Sequence, residues 1–307
     1  MAAVSPVARL LRLSALYVSF LVCFLAGSAA VAGVLPDAAA SEPGLVPPAA
    51  GLLIIALVNV AVVAALIVTS RWHGWKLGLA LAFAYYGAVT LMTQIETWYF
   101  LSSLTVDRRL LPRLFLMGIP PAFVFVPLAV WLLGRWRVRA EAPPPDAPAM
   151  PITHWIWKLA VLALVYVALY WLAGYFIAWQ NPELRAFYGQ PGDPLPFFTH
   201  TANTLRSDPD LFLFQLLRGV LWVLCALPVI RGSRVSTGMT ALLVALLFSA
   251  PQNVGQILAN PLMPIASVRW SHMIETAVST FVFGLIVVWL LRQAGPAKTP
   301  SSRRAAV

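Results

Sequence analysis

Charged residues are scarce in this chain of 307 residues, in which 21 are basic and 11 are acidic. About 25% of the residues of a soluble domain are charged, whereas here the share is 10%. Apolar residues make up 60% of the chain, and its mean hydropathy is +0.81. These values exclude a disordered chain and a soluble globular enzyme, and they indicate a helical protein that crosses a membrane several times.

Cysteine and histidine are also rare, with two and four residues respectively. Two cysteines cannot make a disulfide scaffold, and both Cys23 and Cys225 fall inside apolar stretches, where we expect small packed side chains. Neither a His-Glu-x-x-His motif nor a glycine-rich phosphate loop is present. The sequence therefore predicts no metal site and no cofactor, and no motif marks the chain as an enzyme.

Long apolar stretches are what the chain has in abundance. A helix needs about 20 apolar residues to cross the hydrocarbon core. The stretches that reach this length comprise residues 11–34, 51–70, 77–101, 112–134, 156–179, 211–231, 238–259 and 270–292. Transmembrane β-barrels have shorter segments with alternating hydrophobicity. We therefore predict an all-α integral membrane protein with eight transmembrane helices.

The first apolar stretch has an alternative interpretation. Arg9 and Arg12 lie just before it and at its start, and Ala30-Val31-Ala32 near its end resemble a signal-peptide cleavage site. The stretch is long for a signal peptide, however, and it has a counterpart later in the chain. We therefore expect it to be retained as the first helix.

Basic residues are unevenly distributed among the predicted loops. If the N-terminus is inside, the inside segments hold 14 of the 21 basic residues and the outside loops hold seven of the 11 acidic residues. Arg108, Arg109 and Arg113, in a short outside loop, are the exception. Because basic residues accumulate in cytoplasmic loops, we predict an inner-membrane protein with both termini in the cytoplasm. The excess positive charge then reflects topology and affinity for lipid headgroups, and its scatter argues against nucleic-acid binding.

The chain also shows signs of an internal duplication. Four short matches occur in the same order: residues 12–27 with 158–174, 70–78 with 230–238, 94–95 with 256–257, and 130–133 with 288–291. Apolar helices align with one another easily, so each match alone is weak. Because each half holds four helices, both halves would point the same way, as parallel repeats.

The duplication divides the chain into four parts. These are a first four-helix half (1–138), a proline-rich cytoplasmic linker (139–153), a second four-helix half (154–292) and a cytoplasmic tail (293–307). A proline-rich linker stays extended and semi-rigid, so it would space the halves without packing against them.

Polar side chains inside the predicted spans mark a candidate site. A charged group at the bilayer centre costs about 2.5–3.5 kcal/mol on insertion scales, yet three charged residues, Glu96, Arg218 and Glu275, lie in spans away from the extreme ends. All of them fall in the outer half of the bilayer on the predicted topology. The candidates for binding a substrate or an ion are Glu96, Arg218, Gln252, Asn253, Gln256, His272 and Glu275.

The seventh span carries a polar stripe at helical spacing. Ser249, Gln252, Asn253, Gln256 and Asn260 would share one face of a helix, which Pro251 should kink. The functional interpretation is a water-accessible cavity, and the structural one is hydrogen bonding between helices. The long outer loop 180–210 has aromatic residues that would anchor it at the membrane interface or place it over the cavity.

The leading functional prediction is a transporter or permease-like protein whose polar site opens to the outer face. Its partners would be the lipid bilayer and a small solute or a lipid headgroup. Arg218 would attract an anionic group, and Glu96 and Glu275 would bind a cation or carry a proton. The alternatives are a membrane-embedded enzyme acting on a lipid-linked substrate and a non-catalytic assembly subunit.

Overall fold

The computed structural model describes residues 6–36, 41–100, 109–137 and 151–293. Within these ranges, eight helices are long and apolar enough to cross a membrane. In chain order they are α1 (Pro6–Ser28), α2 (Pro48–Val68), α3 (Gly74–Tyr99), α4 (Leu110–Leu132), α5 (Ile152–Ala178), α8 (Pro209–Gly232), α9 (Thr237–Ile257) and α10 (Ala266–Arg292). Two short helices, α6 (Pro182–Phe187) and α7 (Phe197–Ser207), lie between α5 and α8. The prediction of a helical, multi-pass membrane protein is confirmed.

The helix ends differ from the predicted ends by a few residues, and two differences have a clear cause. The first span ends at Ser28, six residues early, because the chain then makes successive turns up to Gly33, whose φ is +73°. The last span begins at Ala266, four residues early, where the carboxylate of Glu42 accepts a hydrogen bond from the Ala266 amide at 2.6 Å. Most of the predicted linker, the tail beyond residue 293, and Arg108 lie outside the described residues.

Three spans contain a π-helical turn instead of continuous α-helix, namely Gly87–Leu91 in α3, Pro120–Phe125 in α4 and Gly174–Ala178 in α5. The turn in α4 begins at Pro120 and Pro121, which cannot donate backbone hydrogen bonds and therefore disturb the helix at this point. Pro251 lies inside α9, whose α-helical part ends two residues later at Asn253 before a short 3₁₀ turn. Single π-helical turns often lie at functional sites.

The helices pack in a regular set of pairs. In the first half of the chain, α1 contacts α2 and α4, and α3 contacts α4. In the second half, α5 contacts α8 and α10, and α9 contacts α10. Between the halves, α2 packs on α9 and α3 packs on α8. Small residues allow the closest approaches: a Cβ added to Gly284 on α10 would lie 2.6 Å from the Cα of Ala245 on α9, as is typical of helix packing in membranes.

The loops after α2 and α8 are joined by hydrogen bonds. Ser70 and Ser233 form an isolated antiparallel bridge. The Arg71 amide donates to the Gly232 carbonyl at 2.6 Å, and the Arg234 amide donates to the Thr69 carbonyl at 3.0 Å. The two loops therefore connect the halves of the chain at one end of the spans.

Candidate functional site

A cavity of about 360 Å³ lies at the other end of the spans, beside α6 and α7. This volume is typical of pockets for small organic molecules. Its walls come mainly from α3, α5, α9 and α10 and from the segment between α5 and α8, with Leu211 at the start of α8. The lining residues are Thr93, Glu96, Thr97, Phe100, Tyr170, Trp171, Gly174, Tyr175, Ala178, Trp179, Leu184, Tyr188, Gln190, His200, Thr204, Ser207, Asp208, Leu211, Gln252, Asn253, Gln256, Met263, His272, Glu275 and Thr276.

The structure brings most of the predicted site residues together. Those that line the cavity are Glu96, Gln252, Asn253, Gln256, His272 and Glu275. They come from three helices, α3, α9 and α10, that are far apart in sequence. Arg218 is the exception, because it lies behind the cavity wall.

Arg218 and Glu96 form a bidentate ion pair. Its two terminal nitrogens donate to the two carboxylate oxygens of Glu96, each at 2.7 Å. The Arg218 side chain is 4% exposed, whereas that of Glu96 is 33% exposed. A further bond at 3.0 Å joins Arg218 to the side-chain oxygen of Gln215. The expectation that Arg218 attracts an anionic group does not fit this geometry, since its guanidinium is already engaged and does not reach the cavity.

Glu275 is the other predicted carboxylate, and it is buried with 8% of its surface exposed. One of its oxygens lies 3.2 Å from Nδ1 of His272, and Nε2 of His272 lies 3.0 Å from the hydroxyl of Tyr188. Burial, together with the charges of Glu96 and Glu275, raises the pKa of the Tyr188 hydroxyl. The charges of Glu96 and Glu275 therefore both influence the part of the cavity around Tyr188.

The polar stripe of α9 faces the cavity over most of its predicted length. The side-chain nitrogens of Gln252 and Asn253 donate to backbone carbonyls one turn earlier in the helix. Thr93 on α3 donates to the side-chain oxygen of Gln252 at 3.3 Å. The stripe stops at Gln256 because the helix ends at Ile257. Asn260 instead accepts a hydrogen bond from the Leu262 amide within a turn.

One side of the cavity is a row of contacting rings formed by Tyr175, His200, Trp179 and Tyr188, which we call the aromatic wall. The ring centroids of Tyr175 and His200 lie 5.4 Å apart, those of His200 and Trp179 5.2 Å, and those of Trp179 and Tyr188 6.3 Å. The wall continues to His272, whose ring centroid is 5.7 Å from that of Tyr188. Burial lowers the pKa of His200, which favours the neutral form of its imidazole.

The sequence prediction missed the aromatic wall, although two signals were present. Trp171, Tyr175 and Trp179 follow one another at intervals of four residues, which places them on one helix face. His200, Thr204 and Ser207 have similar helical spacing in what was predicted as a loop, and all three line the cavity. Of the aromatic residues in that loop, Tyr188 faces the cavity, whereas Phe198 is 83% exposed.

The segment containing α6 is fixed to the helices around it. Asn181 accepts a hydrogen bond from the Glu183 amide at 2.9 Å, which caps α6, and it donates to the hydroxyls of Ser267 and Ser271 on α10. The buried guanidinium of Arg185 donates at 2.7 Å both to the Trp179 carbonyl and to the Gly192 carbonyl. These bonds hold the segment in place beside the cavity.

The charges around the cavity are predominantly negative. Among the described residues, the lining includes the carboxylates of Glu96, Asp208 and Glu275 but no lysine or arginine. Asp208 accepts a hydrogen bond from the Tyr99 hydroxyl at 2.7 Å. No group of three His, Cys, Asp or Glu residues in the described ranges could hold a metal ion.

The chain was also compared with protein-family models, curated proteins and solved structures, and nothing in these three comparisons matches it. Its function therefore has to be inferred from the cavity.

Proposed function

We propose that the protein is a transporter or permease-like protein of the cytoplasmic membrane, and that the cavity is its solute-binding site. The observation that carries this proposal is the meeting of six predicted polar residues from three helices in one cavity of about 360 Å³. Polar residues that only join helices would bond mainly to one another, whereas these line an open volume. Ionisable residues within a membrane usually face such a cavity and mark a solute or ion pathway.

The proposed orientation places both termini in the cytoplasm and the cavity toward the outer face. The basic residues Arg71 and Arg234, in the loops after α2 and α8, and Arg231, in the last turn of α8, would then be cytoplasmic, in agreement with the tendency of basic residues to remain inside. The acidic residues Glu183, Asp193 and Asp208 lie at the cavity end. This distribution supports an outward-facing site.

We also propose that the chain consists of two parallel repeats, residues 1–138 and 154–292, separated by the linker 139–153 and followed by the cytoplasmic tail 293–307. Two sets of contacts support this division. In this division α1, α2, α3 and α4 correspond to α5, α8, α9 and α10. Exchanging the halves therefore turns the contact between α2 and α9 into the contact between α8 and α3, and both contacts are observed. The hydrogen bonds around Ser70 and Ser233 are likewise reciprocal. They favour an alignment of the halves in which Arg71 corresponds to Arg234. The sequence match of residues 70–78 with 230–238 instead pairs Arg71 with Arg231, three residues away.

Accessibility of single cysteines tests the proposed solute site. Cys23 and Cys225 are first replaced by serine, and single cysteines are introduced at positions 253 and 275. A membrane-impermeant maleimide added to intact cells should label both positions. Ala245, which is fully buried, provides a matched control position that should stay unlabelled. Protection of 253 and 275 as complete as that of 245 would contradict an outward-facing cavity.

Transport itself is tested with the purified protein in proteoliposomes and a panel of radiolabelled solutes. The Glu275→Gln variant should lose uptake of the transported solute, whereas Asp193→Asn, at an exposed carboxylate outside the cavity, should retain it. A stoichiometric partner in pull-downs together with no solute flux would instead favour an assembly subunit.

One observation favours a second candidate function, a membrane-embedded enzyme acting on a lipid-linked substrate. Tyr188, His272 and Glu275 form a connected chain of hydrogen bonds at one side of the cavity. A histidine oriented by a carboxylate is a common arrangement for general acid–base catalysis. This candidate requires product formation in proteoliposomes that is lost in a His272→Asn variant, without net solute flux.

A further inference from the structure

We propose that the ligand of the cavity is a small organic ammonium ion, whose charge pairs with Glu275 and whose hydrocarbon part lies against the aromatic wall. This inference rests on the proposed function, because it takes the cavity to be a solute site. It adds the chemical class of the solute, which follows from the charge, the hydrogen-bonding groups and the rings that face the cavity.

The first argument is the charge balance. Arg218, the permanent cation among the predicted site residues, is already paired with Glu96. Glu275 is buried, and its contact among the described residues is His272, which is charged only when protonated. A buried carboxylate without a permanent positive partner is costly. A cationic ligand would supply that partner, whereas an anionic ligand would add to the unbalanced charge.

The second argument is that two of the unused hydrogen-bonding atoms in the cavity lining, on the buried residues Asn253 and Glu275, are acceptors. Asn253 is 7% exposed, and its side-chain nitrogen donates to the Ser249 carbonyl at 2.7 Å. Because only a nitrogen can donate to that carbonyl, the side-chain oxygen Oδ1 is the atom left without a partner in the described residues. Glu275 likewise uses one carboxylate oxygen on His272 and leaves Oε1 unused. Free acceptors suit a ligand that carries N–H donors.

The third argument is the aromatic wall. The faces of aromatic rings attract cations, and rows of rings are the usual way in which proteins bind alkylated ammonium groups. Trp179 and Tyr188 stand next to each other in the wall, and Tyr188 adjoins the His272–Glu275 pair. The negative group and the rings are therefore neighbours. His200 is the ring between Tyr175 and Trp179, and burial favours its neutral form, which suits a cation bound beside it.

Matched ligands of different charge test the inference with the purified full-length protein in detergent. The probes are benzylammonium, its neutral counterpart benzyl alcohol, its anionic counterpart benzoate, and choline with its neutral counterpart dimethylbutanol. Binding is followed by tryptophan fluorescence and by the unfolding temperature. Each cation should bind at least about tenfold more tightly than its neutral counterpart, which corresponds to about 1.4 kcal/mol. Preference for a neutral or anionic probe would overturn the inference.

Three variants locate the binding. Glu275→Gln should remove most of the preference for the cations, and Trp179→Leu should weaken binding of choline several-fold. Asp193→Asn, the matched control at an exposed carboxylate, should bind like the parent. Size-exclusion profiles and ligand-free unfolding temperatures show that the variants are folded. Cation binding that is equally strong in the parent, Glu275→Gln and Trp179→Leu would place it elsewhere and overturn the inference.

The outcomes separate this inference from the proposed function. If a neutral or anionic probe binds and binding depends on Glu275, the cavity remains a solute site and only the ligand class is wrong. If no probe binds and positions 253 and 275 are also protected from the maleimide, both the ligand class and the solute site are wrong.

Discussion

Glu96 of α3 and Arg218 of α8 form an ion pair that joins two helices from different halves of the chain, with both nitrogen–oxygen distances at 2.7 Å. The pair is unequal in its surroundings. Arg218 is enclosed by protein, whereas a third of the Glu96 side chain is exposed at the cavity. Removing one partner therefore has different consequences from removing the other.

Replacing Glu96 by leucine should destabilise the protein more than replacing Arg218 by leucine. The first change leaves a buried guanidinium without its counter-charge, a situation that costs about 3–5 kcal/mol in buried pairs. The second leaves a carboxylate that the cavity can hydrate. Unfolding temperatures in detergent measure the difference, and an equal or reversed order would contradict this account. The double variant should be more stable than Glu96→Leu alone.

Replacing Arg269 by methionine should loosen the loop before α2. The buried guanidinium of Arg269 donates to the carbonyls of Glu42, Pro43, Met263 and Pro264, at 2.8 to 2.9 Å. Each hydrogen bond to a charged group contributes about 1.5–3 kcal/mol, so a clear drop in unfolding temperature is expected. Limited proteolysis near residue 42 should become faster. Arg206→Met, at an exposed arginine of α7, is the matched control and should leave both measurements unchanged.

Acidification should destabilise the protein partly through His200. Because burial lowers the pKa of His200 below its usual value of 6.5, the folded state binds the proton less readily than the unfolded state. The stability associated with neutral His200 is therefore complete above pH 6.5 and is lost as the pH falls through the lowered folded-state value. Unfolding temperatures measured between pH 7.5 and about 5 should fall less in His200→Gln than in the parent. Parallel curves for the two proteins would be inconsistent with this role.

Cysteines at positions 70 and 233 should form a disulfide that links the two halves. In the antiparallel bridge, Ser70 and Ser233 face each other as the pair that lies between the flanking hydrogen bonds. The Cα atoms of such a pair are about 4.5 Å apart, which is within the range of disulfides. The double variant is made without Cys23 and Cys225, and it carries a protease site in the linker 139–153.

After oxidation and cleavage of this linker, the halves should migrate together on a denaturing gel and separate on reduction. A variant with cysteines at 70 and 236 is the matched control and should not be linked efficiently. Failure of the 70–233 pair to form would show that the two loops are not in contact in the membrane.

The sequence predicted the helices well, and it also identified most of the polar residues that line the cavity, because both depend on local patterns. Apolar length identifies each span, and the helical spacing of Gln252, Asn253 and Gln256 identifies the face that borders the cavity. The role of Arg218 was not predictable in the same way. A charge within a span indicates a site, but only the fold shows that Arg218 is already paired with Glu96.

Features that depend on distant contacts were missed for a physical reason. Trp179 lies at a span end, where an interfacial aromatic residue is the common explanation, and its contact with His200 of α7 could not be read from the sequence. The start of α10 at Ala266 depends on a hydrogen bond from the Ala266 amide to the carboxylate of Glu42, more than 200 residues earlier. Such contacts exist only after the helices have assembled.

The bond between Glu42 and Ala266 also has a consequence for how the chain is threaded through the bilayer. It requires the loops at residues 42 and 265 to lie on one side of the membrane, while the Ser70–Ser233 bridge requires the loops after α2 and α8 to share the other side. Because α2 joins the loop at residue 42 to the loop that contains Ser70, the two pairs of loops lie on opposite sides. A single reporter attached at one of these four loops therefore shows on which side of the membrane each of them lies. One fluorescence-quenching measurement on intact cells is therefore enough to orient the whole molecule.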